Sequence, residues 1–593
     1  MKRCPECRRD YYDDTLLYCL DDGNPLLEGP RSEPGAIATG FPSDEEPRTA
    51  ILPGSDLFDS EGVTRPQITG AAEAPQENRS EQSERQSLSA DRAAEQRGRS
   101  VGWRWPLAVV GIIAVAALGV FFGIRYFKAD SSGAINSIAV LPFENRGGDA
   151  DSEYLSDGLT ESLTYRLSKL PNLKVSPTSS IFRYRGRDTE VTKVGNELGV
   201  NAVVTGRVME RGDNLSISIE LVDVRSDKVI WGEQYERKMS DLLQTQREIA
   251  AEITNRLQIK LSGEDEKTLA KNYTANNEAY QLYLKGRYHW GKRTKDDFLK
   301  GIECFQQAIK LDPNFALAYV GVADSYNVMP SYGFLAPGEA FPQARSMAQK
   351  AVEIDPTLAQ AYASLACPSA YYERDWQKAD SEFGRAVELD PNDPQIHYVF
   401  GYYLEQTGRI DEGMGEFKKT LELDPLFVPA AANLAGAYLN ARQYDLALEQ
   451  AKRTYKLEPS HPTSRFWLGV SYLANGMNAE AAELGEGVLK TDPTNQDALY
   501  ITGYAYAKLG RRSEAEDILK RFSDIAQKGY VLRSSIAGIY GALGNKDKAF
   551  AELERAFADH DSELPRIKVD PLMDPFRGDP RFAALVKRLN LPE

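Results

Sequence analysis

The last half of the chain repeats itself with a period of about 34 residues, and that period leaves few folds open to it. Asp-Pro or Glu-Pro pairs end at Pro313, Pro356, Pro391, Pro425, Pro459 and Pro493, the last four evenly spaced and the first two gaps longer. A proline lacks the amide a helix interior needs and drives its predecessor out of the helical region, so each pair ends a helix. Ahead of the first three prolines stand Gly301, Ala344 and Ala379 at one fixed distance, and Ala308, Ala351 and Ala386 at another. Small residues at those places let two antiparallel helices approach closely. A unit of this length cannot bury its apolar face alone, so the units must stack into a curved array with a long concave surface.

The period accounts for about half of the 593 residues. A formal net charge of -16 speaks against a nucleic-acid partner, because phosphates are held by clustered Lys and Arg. Of five cysteines, three crowd close to the N-terminus, while Cys304 and Cys367 lie in separate repeats and read as buried free thiols. The four histidines, His289, His397, His461 and His560, are scattered without metal-ligand or triad spacing. Asn145–Gly148 reads as a plain strand-to-helix connection, one Gly-Gly pair being poor evidence for a phosphate cradle. The expectation is a chain that is not an enzyme.

Cys4, Cys7 and Cys19 belong to CPEC and CLDDG, spaced as two metal knuckles with Asp22 in the slot of a fourth cysteine. Three thiolates and a carboxylate make an acceptable tetrahedral zinc site, so residues 1–29 resemble a small zinc ribbon with structural Zn. Residues 30–104 are rich in Glu, Ser, Gln, Arg, Pro and Gly, which predicts a disordered linker. From Trp105 to Ile124 no residue carries a charge, a run long enough to cross a bilayer, and the span 105–127 is read as one transmembrane helix. Trp103, Trp105 and Tyr126 fit interfacial anchors. Arg85, Arg92, Arg97, Arg99 and Arg104 precede it, against Arg125, Lys128 and Arg146 after it. That excess puts the N-terminus in the cytoplasm and the rest outside, in the periplasm of a bacterial cell.

Beyond the span the periodicity changes. Ser137–Phe143 is a nearly continuous apolar run, as in a strand buried on both faces. Leu155, Leu159, Leu163 and Leu167 mark an amphipathic helix that stops at Pro171. Leu215–Leu221 alternates apolar and polar after a turn at Arg211–Asn214, and a last helix aligns Leu242, Ile249, Ile253, Leu257 and Leu261. The segments Ile138–Asp149, Tyr154–Val175, Glu197–Val208, Ile219–Arg237 and Gln246–Ala250 together resemble the TolB-like, or FlgO-like, domain of bacterial envelope proteins. In that wider family it precedes tetratricopeptide repeats, which the proline-punctuated pattern also resembles. Lys568–Leu591 looks like the end piece of the same architecture. The kinase, cyclase or winged-helix module of those relatives is absent from this sequence, so their activity does not carry over.

The fold class is therefore multidomain: zinc ribbon, single transmembrane helix, α/β TolB-like domain at 134–262, α-helical TPR superhelix at 277–563, and a capping segment at 564–593. Eight repeats are expected, starting near 279, 316, 359, 394, 428, 462, 496 and 530, with Val328–Glu339 as a loop inserted at the rim of the second. The resemblance implies that positions 2, 5, 9 and 12 of each first helix face a ligand, which selects Tyr398, Tyr402, Glu405, Phe466, Tyr500 and Tyr504. Such rings suit a protein or peptide partner, or simply fill the inner groove. The function expected is a membrane-anchored scaffold or sensor. The competing class is a regulatory or catalytic subunit whose α/β domain binds a nucleotide or small ligand.

Overall fold

The structure, a computed structural model, describes residues 135–147, 153–170, 173–186, 190–271 and 273–592, together with three two-residue strands near the N-terminus. Those strands, β1 (Lys2–Arg3), β2 (Asp10–Tyr11) and β3 (Leu27–Glu28), pair antiparallel in the order β2-β1-β3, within a unit that is separate from residues 106–593. The zinc ligands expected at Cys4, Cys7, Cys19 and Asp22, the linker, and the span 105–127 lie outside the described residues. Among the described residues no helix is long and apolar enough to cross a membrane.

Ser137–Val140 (β4) is the strand the apolar run demanded. Ile138, Ala139 and Val140 are all fully buried, and the strand is an interior one, next to the edge, in a mixed sheet of order β6-β4-β7-β8-β9. Lys174–Val175 (β6) and Ala202–Arg211 (β7) flank it in parallel, and Asn214–Asp223 (β8) and Lys228–Lys238 (β9) follow antiparallel. Glu144–Asn145 (β5) adds a short parallel pairing to β7. β7 turns into β8 through two residues, Gly212 and Asp213, and only Gly212 of the pair has positive φ, at 62°. A glycine in that first loop place is what a two-residue hairpin favours.

Successive residues of β4 point to opposite faces, and so the domain has two cores. Ile138 and Val140 pack with the four leucines of Glu153–Ser168 (α1) and with Ile249 and Ile253 of Leu242–Arg256 (α4). Ala139 and Leu141 pack on the other side with Ile181 of Thr178–Phe182 (α2) and Val194 of Val191–Leu198 (α3). The first core does not stop at the domain. It continues past Gly263–Ala270 (α5) into Ala279, Tyr280 and Leu284 of Asn277–Gly291 (α6), and into Ala308, Phe315 and Ala318 beyond.

Eight helix pairs follow among the described residues. They are α6 with Lys295–Leu311 (α7), Ala316–Val328 (α8) with Pro337–Ile354 (α9), Ala359–Tyr371 (α10) with Trp376–Leu389 (α11), and Pro394–Thr407 (α12) with Ile410–Leu423 (α13). Then come Val428–Asn440 (α14) with Tyr444–Leu457 (α15), Pro462–Ala474 (α16) with Asn478–Leu489 (α17), Gln496–Lys508 (α18) with Arg512–Ala526 (α19), and Arg533–Ala542 (α20) with Lys546–Ala558 (α21). Each second helix from α7 to α15 ends at the acid before its proline, which takes extended backbone with φ between -145 and -135°. The small residues act by close approach. A Cβ on Gly286 would stand 2.5 Å from the Phe305 ring, one on Gly321 2.7 Å from it, and one on Gly436 2.3 Å from the Trp467 ring.

The acids of the Asp-Pro pairs also serve a purpose the repeat pattern does not state. Thr274 Oγ1 donates to Asp312 at 2.5 Å and Lys271 Nζ binds Asp355 at 2.9 Å. Lys169 pairs with Asp390, and the Ser179 hydroxyl donates to Asp424. Four successive repeat ends are thus each held by one residue of the α/β domain or of its link to the repeats. The α/β domain is laid along one edge of the solenoid.

Candidate functional site

Stacked first helices turn one face inward, and that face encloses a hollow of ≈ 260 Å³. Of the six residues selected from the sequence, Tyr398, Tyr402, Phe466 and Tyr500 line it. Glu405 and Tyr504 are buried, Tyr504 meeting Tyr500 edge-on with ring centroids 6.0 Å apart. Glu405 accepts from Asn440 Nδ2, and burial pushes its carboxyl up to about 7 against the pull of Arg566. The tyrosine hydroxyls of Tyr398, Tyr402, Tyr500 and Tyr504 are likewise raised by burial, so they stay neutral donors.

Much of this aromatic surface is already occupied by the chain itself. After α21 the backbone runs back through two short 3-10 turns, Leu564–Lys568 and Pro571–Phe576. Tyr402 Oη donates to Glu563 at 2.8 Å and Gln406 Nε2 at 3.3 Å. Arg566 is ion-paired with Glu563, and its Cζ lies 5.1 Å from the Trp467 ring centroid and 5.7 Å from that of Phe466. Arg442 Nη2 reaches Asp574 at 2.8 Å, and Trp376 Nε1 donates to the Leu589 carbonyl at 3.2 Å from the last helix, Pro580–Leu589 (α22). Leu564, Ile567, Met573, Phe576, Phe582 and Leu585 are buried against α20 and α21. The C-terminal segment therefore caps the last repeat and reaches across the groove to Trp376 and Tyr402 of the third and fourth pairs.

The insert of the second repeat also departs from expectation. Instead of standing at a rim, it folds inward. Tyr332 and Phe334 stack at 5.5 Å and lean on Phe298, the Gly333 carbonyl accepts from Gln496 Nε2 at 3.3 Å, and Ser331 and Tyr332 line the hollow.

The earlier half of the hollow is less crowded. Arg293, in the turn between α6 and α7, lies with its Cζ 3.6 Å from the Trp290 ring centroid. Asp324 on α8 accepts from the Ser364 hydroxyl, and burial raises its carboxyl to about 6 although Arg287 and Arg293 pull it down. Burial holds His461 down at about 4, with Arg293 adding to the effect, so its ring is neutral at pH 7. Asn327 Nδ2 donates to the Ser364 carbonyl at 2.8 Å. Sequence reasoning missed these residues. The positional rule, applied to the repeat that starts at 316, selects Asp324 at position 9 and Asn327 at position 12. Arg293 and Tyr332 sit in turns, where no periodicity points.

In the α/β domain, Glu144 binds Arg146 at 2.8 Å and Arg207 at 3.3 Å, and Asn145 Oδ1 accepts from the Gly147 amide at 2.9 Å. Among the described residues, the chain after β4 is thus tied to itself and to β7.

A family model for the tetratricopeptide repeat matches residues 367–426, and one for subunit 3 of the anaphase-promoting complex, or cyclosome, matches residues 440–522. The second domain of HilA/YgeH-like transcriptional regulators matches residues 134–252. Among curated proteins, a putative adenylate cyclase 3 of Rhizobium meliloti (strain 1021) is 29% identical over 285 residues, covering 46% of this chain and 41% of that protein. The chain thus spans about two-fifths of the length of this relative. Solved structures with similarity include Pseudomonas aeruginosa pilF, 19% identical over 34% of this chain and 91% of that one, at a TM-score of 0.27. PilW, a type IV pilus biogenesis factor, is 17% identical over 37% of this chain and 96% of its own, at 0.29. Human IFIT1 is 12% identical over 70% and 98%, at 0.40. The helix pairs are tetratricopeptide repeats, an architecture that serves as a protein-interaction scaffold, joined to an α/β domain with a mixed sheet.

Proposed function

We propose that the chain is a non-enzymatic scaffold or sensor at a bacterial inner membrane, anchored by the helix read at 105–127. On this reading the TolB-like α/β domain and the repeats stand in the periplasm and bind a protein or peptide. The cytoplasmic zinc ribbon at Cys4, Cys7, Cys19 and Asp22 meets a second protein. The observation that supports it best is the part of the aromatic inner face that lines the hollow clear of the tail, at Tyr332 and Tyr398. Rigid rings supply contact area at small entropic cost. Photocrosslinking in cells tests this reading, with a crosslinking residue at Gln395 on the inner face and a control at exposed Glu449. A discrete protein adduct from Gln395 and none from Glu449 supports it; equal adducts from both, or none, contradict it.

A second reading makes the α/β domain a regulatory module for a nucleotide or small ligand. It is favoured by the cyclase name of the Rhizobium meliloti relative. A rise in melting temperature with ATP or cyclic AMP, abolished by changes in the α/β domain alone, would speak for it.

A further inference from the structure

Of the charged residues that line the hollow, Arg293, Asp324, Asp497 and Asp570 form no ion pair among the described residues. Arg566 is answered by Glu563, and Arg287 by Glu161 at 4.0 Å. Arg293 forms neither an ion pair nor a hydrogen bond among the described residues, its neighbour being the flat face of Trp290. Among the described residues Asp324 has only the neutral Ser364 hydroxyl as a hydrogen-bond partner. Both line the same hollow, from adjacent helix pairs, and they carry opposite charges. A charge withdrawn from water needs a partner, and hydrogen bonds from neutral groups replace only part of what water gave.

Other groups on the same walls are also unanswered. Trp290 Nε1, Asn327 Oδ1 and the Tyr371 hydroxyl are buried polar atoms without a hydrogen-bond partner, and all three residues line the hollow. Together with Arg293 and Asp324 they offer donors for an anion and acceptors for a cation. The remaining walls mix apolar and aromatic side chains, Val328, Tyr332 and Tyr398 among them, with polar ones such as Gln360, His461 and Asp497. A volume of ≈ 260 Å³ is just below the range of drug-sized sites and too small for a folded element. An inorganic anion would answer Arg293 alone, and a metal cation Asp324 alone. One molecule that answers both has an ammonium and a carboxylate on one end and an apolar body on the other.

We propose that this hollow binds a small zwitterion, a free α-amino acid or a dipeptide, with its carboxylate on Arg293, its ammonium on Asp324 and its side chain among Trp290, Tyr332 and Tyr398. The ligand sits inside the first half of the solenoid, beside the helix pairs gripped by the α/β domain. The site shares Tyr398 and the hollow with the protein-binding reading above but does not rest on that reading, because the ligand needs no open groove.

The test is calorimetric titration of the full chain with the twenty protein amino acids and the dipeptides Ala-Phe and Phe-Ala. For each binder, the N-acetyl form removes the ammonium and the C-terminal amide removes the carboxylate. At least one parent compound should bind, and either modification should weaken it at least about tenfold, the loss expected for a charged hydrogen-bonded contact. Binding by free amino acids but not by dipeptides, or the reverse, identifies the source of the zwitterion. In Arg293→Gln the amide should bind as well as the parent, and in Asp324→Asn the N-acetyl form should. No binding by any parent, leaving a hollow that holds only water, overturns the proposal. So does equal binding of parent and modified forms, a result read on the unaltered chain whether or not the variants fold.

Discussion

The two halves of the solenoid are built from one repeat but are held in opposite ways. In the first four helix pairs the closing aspartates, Asp312, Asp355, Asp390 and Asp424, are gripped from outside by Thr274, Lys271, Lys169 and Ser179. In the later pairs the equivalent acids are answered within their own turns, Glu458 by Ser460 and Asp492 by Thr494 at 2.9 Å. Support there comes from inside, where Glu563, Arg566 and the 3-10 turns enter the groove. One half has a clamped edge; the other has a free edge and is braced from inside by the returning tail, and the hollow is walled by both. The contrast teaches that a repeat signature sets the hairpin, while its neighbours decide which surface is left for a ligand.

The most severe way to break the contrast is to loosen the braced half. Phe576 is fully buried, and its ring lies against Gly541, where a Cβ would stand only 2.3 Å away. Phe576→Ala should cost about 3–5 kcal/mol, measured by denaturant unfolding, with the loss of protection to hydrogen exchange concentrated in 496–592. A spread of the loss over both halves would show that they unfold as one body.

A change of pH acts on both halves at once. Burial raises Asp157, Asp324, Asp424, Asp497 and Asp561 to about 6 and Glu405 to about 7. An acid whose folded pKa is raised takes up its proton on folding, so stability falls as pH rises from the unfolded value near 4 through the folded one. His397 contributes in the same sense: burial opposes its charge, but the Glu416 carboxylate at 2.5 Å and the Pro391 carbonyl outweigh it and raise the pKa. Its contribution is full below about 6.5 and lost above the folded value. His461, held at about 4, acts the other way, losing stability as pH falls below about 6.5. With six acids against it, the melting temperature should be higher at pH 5.5 than at pH 7.5. The reverse order would mean that these carboxylates are hydrated.

The smallest changes probe the clamped edge. Lys169→Ala and Ser179→Ala each remove one contact to a repeat-end aspartate and should cost about 1 kcal/mol, read as faster exchange in 359–423. Ser460→Ala, on the free edge, should change nothing measurable. Equal effects at the two edges would remove the distinction.

Hairpins were legible in the sequence because proline and small residues act locally. Pro356 and Pro391 follow directly on the acids that end α9 and α11, and Gly436 is small because Trp467 lies one repeat on. The buried strand β4 was legible too, since Ile138–Val140 are apolar on both faces. The grip on Asp390 and Asp424 was not, because it depends on where the α/β domain comes to rest. The inner face was half legible. Tyr398 and Tyr402 follow from position in the repeat, but the tail at Glu563 returns only because the solenoid has curled round to meet it. Arg293 and Tyr332 escaped notice as residues of turns, whose course is set by the packing around them.

The contrast between the free and the tail-braced walls of the interior is tested most directly by thiol labelling of the full chain carrying Ser331→Cys or Ser562→Cys. Both residues line the hollow, but Ser331 has part of its surface free, whereas Ser562, on the wall that the tail contributes, is 3% exposed. With the native cysteines resolved by peptide mass mapping, Ser331→Cys should react with a small thiol reagent at least about tenfold faster than Ser562→Cys. Equal rates, or a faster reaction at 562, would contradict the account.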